Sequence, residues 1–253
     1  MNKLGLESII SNICGKNRDM KSHLFSADMK LADVIHADYS LLLLLHRFGI
    51  NLGFGDKTVQ ECCEANHVSC TLFLMICNVY SNEQYLPTED EIEGIGANVD
   101  QLIAYLKNSH SYYLENRMLS IQEQLKEISE GCEQQHQQIL NLFFNEYKNE
   151  VIRHFDYEEV TVFPYISNMV KGARPEDYEI GVFRENHSNI DDKLNDLKNI
   201  IMKYLPGDTL SDMRIRVLFG IFALEEDLSK HSLIEDKILV PLVMKLEQRY
   251  AKQ

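Results

Sequence analysis

The chain carries the same eleven-residue pattern twice. HFDYEEVTVFP runs from His154 to Pro164, and HSLIEDKILVP runs from His231 to Pro241. In both copies a glutamate follows the histidine by four residues, an acidic residue comes next, and the proline follows the glutamate by six residues. Such an internal repeat predicts that the fold uses one structural unit twice.

A second pair of histidines extends this repeat. His110 precedes His154 by 44 residues, and His187 precedes His231 by the same interval, so corresponding residues of the two units lie 77 positions apart. Two copies of a helical hairpin form a four-helix bundle. The spacing therefore predicts an up-down bundle with local two-fold symmetry.

The turns predicted from the sequence agree with this arrangement. In an antiparallel hairpin, residues equally distant from the turn lie at the same height. The midpoints between successive histidines fall at or beside turn-forming residues, namely Glu130–Cys132, Lys171–Gly172 and Pro206–Thr209. We therefore expect all four histidines to meet at one level of the bundle.

The two glutamates belong to the same interior layer. A residue four positions further along a helix lies one turn higher and about 40° around the axis, so Glu158 follows His154 inward and Glu235 follows His231. One such pair alone is more often a surface contact, but the shared spacing of both pairs favours a buried site. Burying these groups is costly without a cation. The predicted metal ligands are His110, His154, Glu158, His187, His231 and Glu235.

Two carboxylates at the centre of four helices suit a pair of metal ions. With four imidazoles and two bridging glutamates as ligands, we expect two non-haem iron ions joined by an oxo or hydroxo bridge. On this assumed geometry, two coordination positions remain for water, O2, NO or peroxide.

The remaining histidines are not predicted to bind the metals. His136 precedes His154 by eighteen residues, which is about 27 Å along a continuous helix. The other four lie in the first third of the chain and are expected to be structural or solvent-exposed: His23, His36, His46 and His67.

Prolines and aromatic residues also lie near the predicted ligands in the sequence or on the predicted helices. Pro164 and Pro241 are expected to kink or loosen the helix beyond each glutamate, because proline lacks the N–H that a regular helix uses. Five aromatic residues are candidates for lining the metal cavity, although ordinary core packing is the commoner role for such residues: Tyr113, Phe155, Tyr157, Phe183 and Phe222.

Composition predicts an all-α fold. Proline and glycine are scarce, with five and twelve residues, and long stretches are rich in helix-forming residues. Short helices are predicted over Asp38–Phe48 and Lys57–Ala65 and from an N-cap at Ser69 to about Tyr80, followed by a capping box at Thr88–Glu91. The four long helices are predicted at about 97–130, 132–169, 175–204 and 209–249.

Charge and composition divide the chain and exclude several classes of partner. The net charge is −14, yet the first 80 residues hold seven basic and eight acidic residues. We expect an N-terminal extension over 1–27, a small helical domain over 28–82 and the bundle over 83–253. This acidity argues against nucleic acid as a partner. The apolar run Leu41–Leu45 is too short to cross a membrane, and no signal peptide or disulfide framework is apparent, so a cytoplasmic protein is expected.

The two repeated patterns resemble those of hemerythrin-like domains. More specifically, the chain resembles the iron–sulfur cluster repair di-iron proteins, also called repair of iron centres, over about residues 28–250. The stretch MKLADVIHADYSLLLLLHRFGINLGFGDKTVQECCEANHV is similar to the N-terminal domain of that family. The resemblance implies a non-haem di-iron centre held by the six predicted ligands, with both glutamates bridging, and recovery of iron–sulfur enzymes after nitrosative or oxidative damage.

One feature departs from that family. Its members typically carry two adjacent cysteines in a turn of the N-terminal domain, where this chain has Asn51–Gly55 without a cysteine. Cys62 and Cys63 are adjacent but are predicted to lie within the next helix, where neighbouring side chains diverge by about 100°. We expect them to pack in the core.

The sequence leaves several functions open. The first is a stress protein that binds NO or O2, or supplies iron, to restore damaged iron–sulfur proteins, with the N-terminal domain docking a partner or a second copy of the chain. The second is a hemerythrin-like O2 or NO carrier or sensor without repair activity. The third is a di-iron oxidoreductase that acts on peroxide or NO, and the fourth is a metal-free helical interaction protein.

Overall fold

The computed structural model describes residues 24–130, 132–173, 178–186, 192–205 and 211–251. Within these ranges the regular structure is entirely helical, and the only β-type pairing is an isolated bridge between Lys30 and Thr58. The predicted all-α fold is therefore confirmed. No helix in the described ranges combines the length and the apolar character that crossing a membrane requires.

Five short α-helices precede the bundle in the part of the chain from residue 24 onward. Ser69 caps the helix Cys70–Ser81 by accepting a hydrogen bond from the amide of Leu72, as predicted, and the capping box at Thr88–Glu91 begins the helix Glu89–Gly94. A second capping box, at Thr58, begins the helix Val59–Ala65 two residues later than expected. The helices are α1 (Leu31–Ala37), α2 (Leu42–Arg47, after a 3-10 turn at Tyr39–Leu41), α3 (Val59–Ala65), α4 (Cys70–Ser81) and α5 (Glu89–Gly94).

Each of the four bundle helices contains a π-helical turn, in which hydrogen bonds span five residues instead of four. The first comprises α6 (Val99–Tyr112), a π turn (Tyr113–Arg117) and α7 (Met118–Ser129). The second comprises α8 (Gln134–Tyr157), a π turn (Glu158–Val162) and α9 (Phe163–Val170). The third contains α10 (Ile180–Asn186), α11 (Asp192–Asn199) and a π turn (Ile200–Tyr204). The fourth comprises α12 (Ser211–Ile234), a π turn (Glu235–Leu239) and α13 (Val240–Ala251).

Two of these π turns end beside a proline. The amide of Phe163 bonds to the carbonyl of Glu158, and the amide of Val240 bonds to that of Glu235, both five residues back. Proline comes next in each copy of the repeat. Because proline has no N–H and its ring clashes with the carbonyl four residues earlier, the wider turn accommodates it. The expected loosening of both helices is thus confirmed, and it begins at the glutamates themselves.

The bundle helices pack as a closed ring of four. α7 packs against α8, α8 against α11, α11 against α12, and α12 against α7. The second bundle helix is followed by a turn at Gly172, whose φ of 91° suits glycine. Its amide bonds to Met169 and the next amide to Asn168, which is a Schellman motif. The other two predicted turn sites, at Gly131 and Pro206–Thr209, lie outside the described residues.

Two apolar clusters fill the interior. The first joins the N-terminal helices to α6, α9, α10 and α13, and includes Phe73, Leu106, Ile166 and Val243. The second lies between α7, α8, α11 and α12. Every described bundle helix therefore passes from one apolar cluster to the other. The duplicated His and Glu residues that the structure describes lie at this crossing, between the two clusters.

The N-terminal helices share the first cluster with one half of the bundle. α4 packs along α12, and α2 packs against α6. This contact buries Leu44 and Leu45 of α2 almost completely. The division of the chain at residues 28 and 83 stays a prediction, and the described residues show close packing across the second boundary.

Candidate metal centre

Three bundle helices deliver five of the six predicted ligands to one place. His110 lies in the last turn of α6, and His154 in the last turn of α8. His231 lies in the last turn of α12. Glu158 and Glu235 are the first residues of the π turns that follow α8 and α12. His187, the sixth predicted ligand, lies outside the described residues.

Four of these residues form a compact, buried cluster. Ligand atoms of His110, Glu158, His231 and Glu235 lie within 4.8 Å of one another. Both carboxylates are completely inaccessible to solvent, and the two imidazoles are 1% exposed. Burial this complete shields both carboxylates from bulk solvent, so their charge must be compensated inside the bundle.

The imidazoles direct their Nε2 atoms at the carboxylates. One oxygen of Glu158 lies 3.0 Å from Nε2 of His110, and the other lies 2.8 Å from Nε2 of His154. Nε2 of His231 lies 3.2 Å from Glu235. Glu158 therefore sits between imidazoles from two different helices, one on each oxygen.

A fourth contact sets the orientation of His110. Its Nδ1 atom lies 2.8 Å from a carboxylate oxygen of Glu159, the acidic residue that follows Glu158. The ring also stacks on Phe155, with centroids 3.9 Å apart and planes 7° from parallel. A carboxylate on Nδ1 fixes the proton there, which leaves a lone pair on Nε2 in the neutral ring.

These contacts fit a bound cation. Nε2 of His110 faces a carboxylate oxygen of Glu158 and also lies 3.3 Å from Nε2 of His231. Each ring nitrogen holds at most one proton, so in the absence of a cation these closely spaced acceptors have few protons to share. A metal ion among them turns every one of these atoms into a ligand, and imidazole with carboxylate is a donor set that transition metals favour.

Electrostatics around His110 point the same way. Burial alone would lower the pKa of this imidazole, but the hydrogen bond and charge of Glu158, followed by Glu159, raise it above its ordinary value of 6.5. The negative charge of the site therefore attracts a proton to His110 in the metal-free protein. A metal ion satisfies the same charge by replacing that proton.

The aromatic predictions have mixed outcomes. Tyr113 and Phe155 line the site, because both rings contact His231, with centroids 5.7 and 5.9 Å away. Phe183 is buried in the first apolar cluster, and the hydroxyl of Tyr157 pairs with Tyr178. Phe222 was wrongly predicted as a lining residue: it is 46% exposed and its ring lies under the Lys198 ammonium.

The histidines outside the predicted site occupy other places. His136 lies in the first turn of α8, at the far end of that helix from His154. His36, His46 and His67 are exposed, as expected, and His23 lies outside the described residues. Among the described residues, none of these other histidines belongs to the His and Glu cluster.

Glu159 was not predicted to be a partner of His110. Each copy of the repeat carries an acidic residue after the glutamate, which was the available signal. On a regular α-helix, however, Glu159 would point about 100° away from Glu158. Glu158 and Glu159 both lie in the π turn that begins at Glu158, and this turn was not predicted.

Comparison with known proteins agrees with this geometry. The model of the hemerythrin HHE cation-binding domain matches residues 101–243, a range that includes all six predicted ligands and more than half of the chain. No curated protein and no solved structure matches the chain significantly. With the duplicated helical hairpins and their His and Glu cluster, this match shows that the chain belongs to the hemerythrin HHE cation-binding domain family.

Proposed function

We propose that this protein holds two non-haem iron ions and acts in the cytoplasm on a small diatomic ligand, NO or O2, or as a source of iron. The ligands in this proposal are His110, His154, Glu158, His187, His231 and Glu235, with both glutamates bridging. The observation that carries the proposal is the convergence of two fully buried carboxylates with imidazole nitrogens from three helices.

The position of Glu158 supports a pair of ions. Its two oxygens face two different imidazoles, those of His110 and His154, at 3.0 and 2.8 Å. A carboxylate held this way has one oxygen available for each of two neighbouring ions. The absence of thiolates from the described cluster favours iron over metals that prefer sulfur ligands.

The surrounding residues would orient the ligands and restrict the access of water. Glu159 holds Nδ1 of His110, and Phe155 covers one face of the same ring. Tyr113 and Phe163 extend this apolar wall. When bound, iron would supply redox activity and open positions for a diatomic ligand. The apolar wall would favour small ligands over large substrates.

The physiological role in this proposal is the restoration of iron–sulfur centres after nitrosative or oxidative stress. Its support is the resemblance of residues 28–82 to the N-terminal domain of the repair proteins. The role would not use an accessible thiol pair, because Cys62 and Cys63 are 1% and 0% exposed. Burial raises the pKa of both thiols, which leaves them protonated and weakly reactive.

A hemerythrin-like carrier or sensor is the second candidate. The observation that favours it is the same burial of Cys62 and Cys63, since it removes the feature that sets the repair proteins apart from simple ligand-binding bundles. The bundle alone suffices for reversible binding of a diatomic ligand.

Metal analysis tests the proposal directly. Protein from iron-replete cells is expected to contain close to two irons per chain, and its oxidised form to show oxo-bridged ferric absorption that changes on addition of NO. Zinc, or no metal, under these conditions would contradict it. Recovery of a nitrosylated iron–sulfur enzyme on addition of the protein would support repair, whereas reversible O2 binding without recovery would support the carrier.

A further inference from the structure

A buried ion pair joins the N-terminal helices to the bundle. The side chain of Arg47, the last residue of α2, is completely buried, and its Nη2 atom lies 2.6 Å from Asp227 of α12. The two residues are 180 positions apart in sequence. Asp227 precedes the predicted ligand His231 by four residues, which places it one helical turn away on the same face.

Further hydrogen bonds converge on the same point. Tyr80 of α4 donates its hydroxyl to the second carboxylate oxygen of Asp227 at 2.7 Å. Asn108, two residues before His110 on α6, donates to the backbone carbonyl of Arg47 at 2.8 Å. The end of α2 is thus tied to both helices that carry buried imidazoles of the cluster.

Tyr113 provides a second route from Arg47 to His231. The guanidinium carbon of Arg47 lies 5.0 Å from the centroid of the Tyr113 ring. The hydroxyl of Tyr113 donates to the backbone carbonyl of Asp227 at 3.0 Å, and its ring meets His231 edge-on at 88°. Arg47 therefore contacts both Asp227 and Tyr113, and Tyr113 in turn contacts the ring of His231.

This network is better suited to setting geometry than to adding stability. Burying an arginine and an aspartate carries a large desolvation penalty, and apolar residues of similar size often stabilise a core equally well. What an ion pair adds is one defined arrangement of the groups around it. Here Arg47 is connected to the imidazole of His231 through one intervening residue, Tyr113.

We propose that Arg47 is a positioning residue for the metal centre, which couples docking of the N-terminal helices to the geometry of His231 and His110. The metal readout below rests on the proposed function, whereas the readout on metal-free protein does not. Docking and metal binding would then strengthen each other, because each favours the same arrangement of α12.

The test compares four variants of the full chain, of which Asp227→Asn is used only in the NMR readout. Arg47→Met removes the charge and keeps much of the volume, and Arg47→Lys restores a cation. Lys198→Met is the control, because Lys198 is 5% exposed and forms another ion pair, at 2.6 Å, with the partly buried Glu225 of α12. Unfolding in urea is measured for each metal-free variant, so that binding is compared among folded proteins.

Co²⁺ titration followed by visible absorption gives the metal readout. Arg47→Met is expected to weaken Co²⁺ binding by about 10- to 100-fold, the range seen when groups that orient a ligand are removed. Arg47→Lys should recover part of that loss, and Lys198→Met should bind like the wild type. Equal weakening by Arg47→Met and Lys198→Met would overturn the proposal.

NMR of the ¹⁵N-labelled imidazoles in metal-free protein gives the second readout. The ring signals of His231 are expected to shift in Arg47→Met and in Asp227→Asn, but not in Lys198→Met. Unchanged His231 signals in both variants would show that Arg47 has no positioning role. If the wild type binds no Co²⁺, the proposed metal function fails, and the His231 signals still decide the role of Arg47.

Discussion

Glu158 and Glu159 hold opposite edges of the same imidazole. Glu158 lies 3.0 Å from Nε2 of His110, and Glu159 lies 2.8 Å from Nδ1 of that ring. Both glutamates belong to the π turn that starts at Glu158. One segment of backbone thus supplies both a candidate ligand and the group that orients another ligand.

Removing the orienting carboxylate should weaken metal binding without removing a ligand. In Glu159→Ala, His110 loses the partner of Nδ1, and we expect affinity to fall by about 10- to 100-fold. Competition with a coloured chelator measures the change. Glu146→Gln, at an exposed position on α8, is the control and should bind like the wild type. Unaltered affinity in Glu159→Ala would show that stacking on Phe155 alone orients the ring.

Neutralising a buried carboxylate should have opposite effects on metal binding and on the stability of the metal-free protein. Glu235 is fully buried, so Glu235→Gln removes a charge that is costly to bury in the absence of a cation. We expect metal content to fall below half, while the free energy of unfolding of the metal-free form stays equal or rises by about 1–2 kcal/mol. Urea unfolding in the presence of a chelator measures the second quantity. A clear loss of stability in metal-free Glu235→Gln would indicate that the carboxylate serves the fold instead.

The repeat assigns His187 to the site, and mutation tests this assignment. We expect His187→Ala to lose metal occupancy, because it removes the counterpart of His110 in the second unit. His136→Ala should retain full occupancy, since His136 lies at the other end of α8 from His154. Elemental analysis of both purified variants measures the difference. Equal losses would mean that the common level of the four histidines is wrong.

The stability of the metal-free protein should depend on pH through His110. Because its pKa is raised in the folded state, protonated His110 stabilises the fold fully below its unfolded pKa of 6.5, and this contribution is lost as pH rises through the folded pKa. The difference in free energy of unfolding between wild type and His110→Gln should therefore shrink as pH rises above 6.5. Urea unfolding at a series of pH values, with chelator present, gives this difference. A gap that widens over that range would contradict the raised pKa.

Much of the site was predictable because it depends on spacing. His154 and Glu158 lie one turn apart on any helix, and the 77-residue repeat applies the same relation to His231 and Glu235. The turn at Gly172 and the caps at Ser69 and Thr88 are equally local, since each uses a residue type suited to one backbone conformation. Local chemistry and repetition together explain the success of the fold prediction.

The remaining features depend on contacts that spacing does not reveal. Arg47 and Asp227 are residue types usually found at the surface, and nothing local marks them as partners across 180 positions. Phe222 was expected inside, yet α12 turns it outward beneath Lys198. The π turns also escaped prediction, because a proline alone does not specify how a helix accommodates it.

The π turns set the direction in which the side chains that follow them point. Each adds one residue to a turn, so every later residue is rotated by about 100° relative to an uninterrupted α-helix. After that rotation, Phe163 and Ile166 face the first apolar cluster, as do Leu242 and Val243. Deleting a single residue from Glu158–Val162 or Glu235–Leu239 would turn polar side chains of α9 or α13 inward. The layer where the two clusters meet should therefore not tolerate a change in chain length.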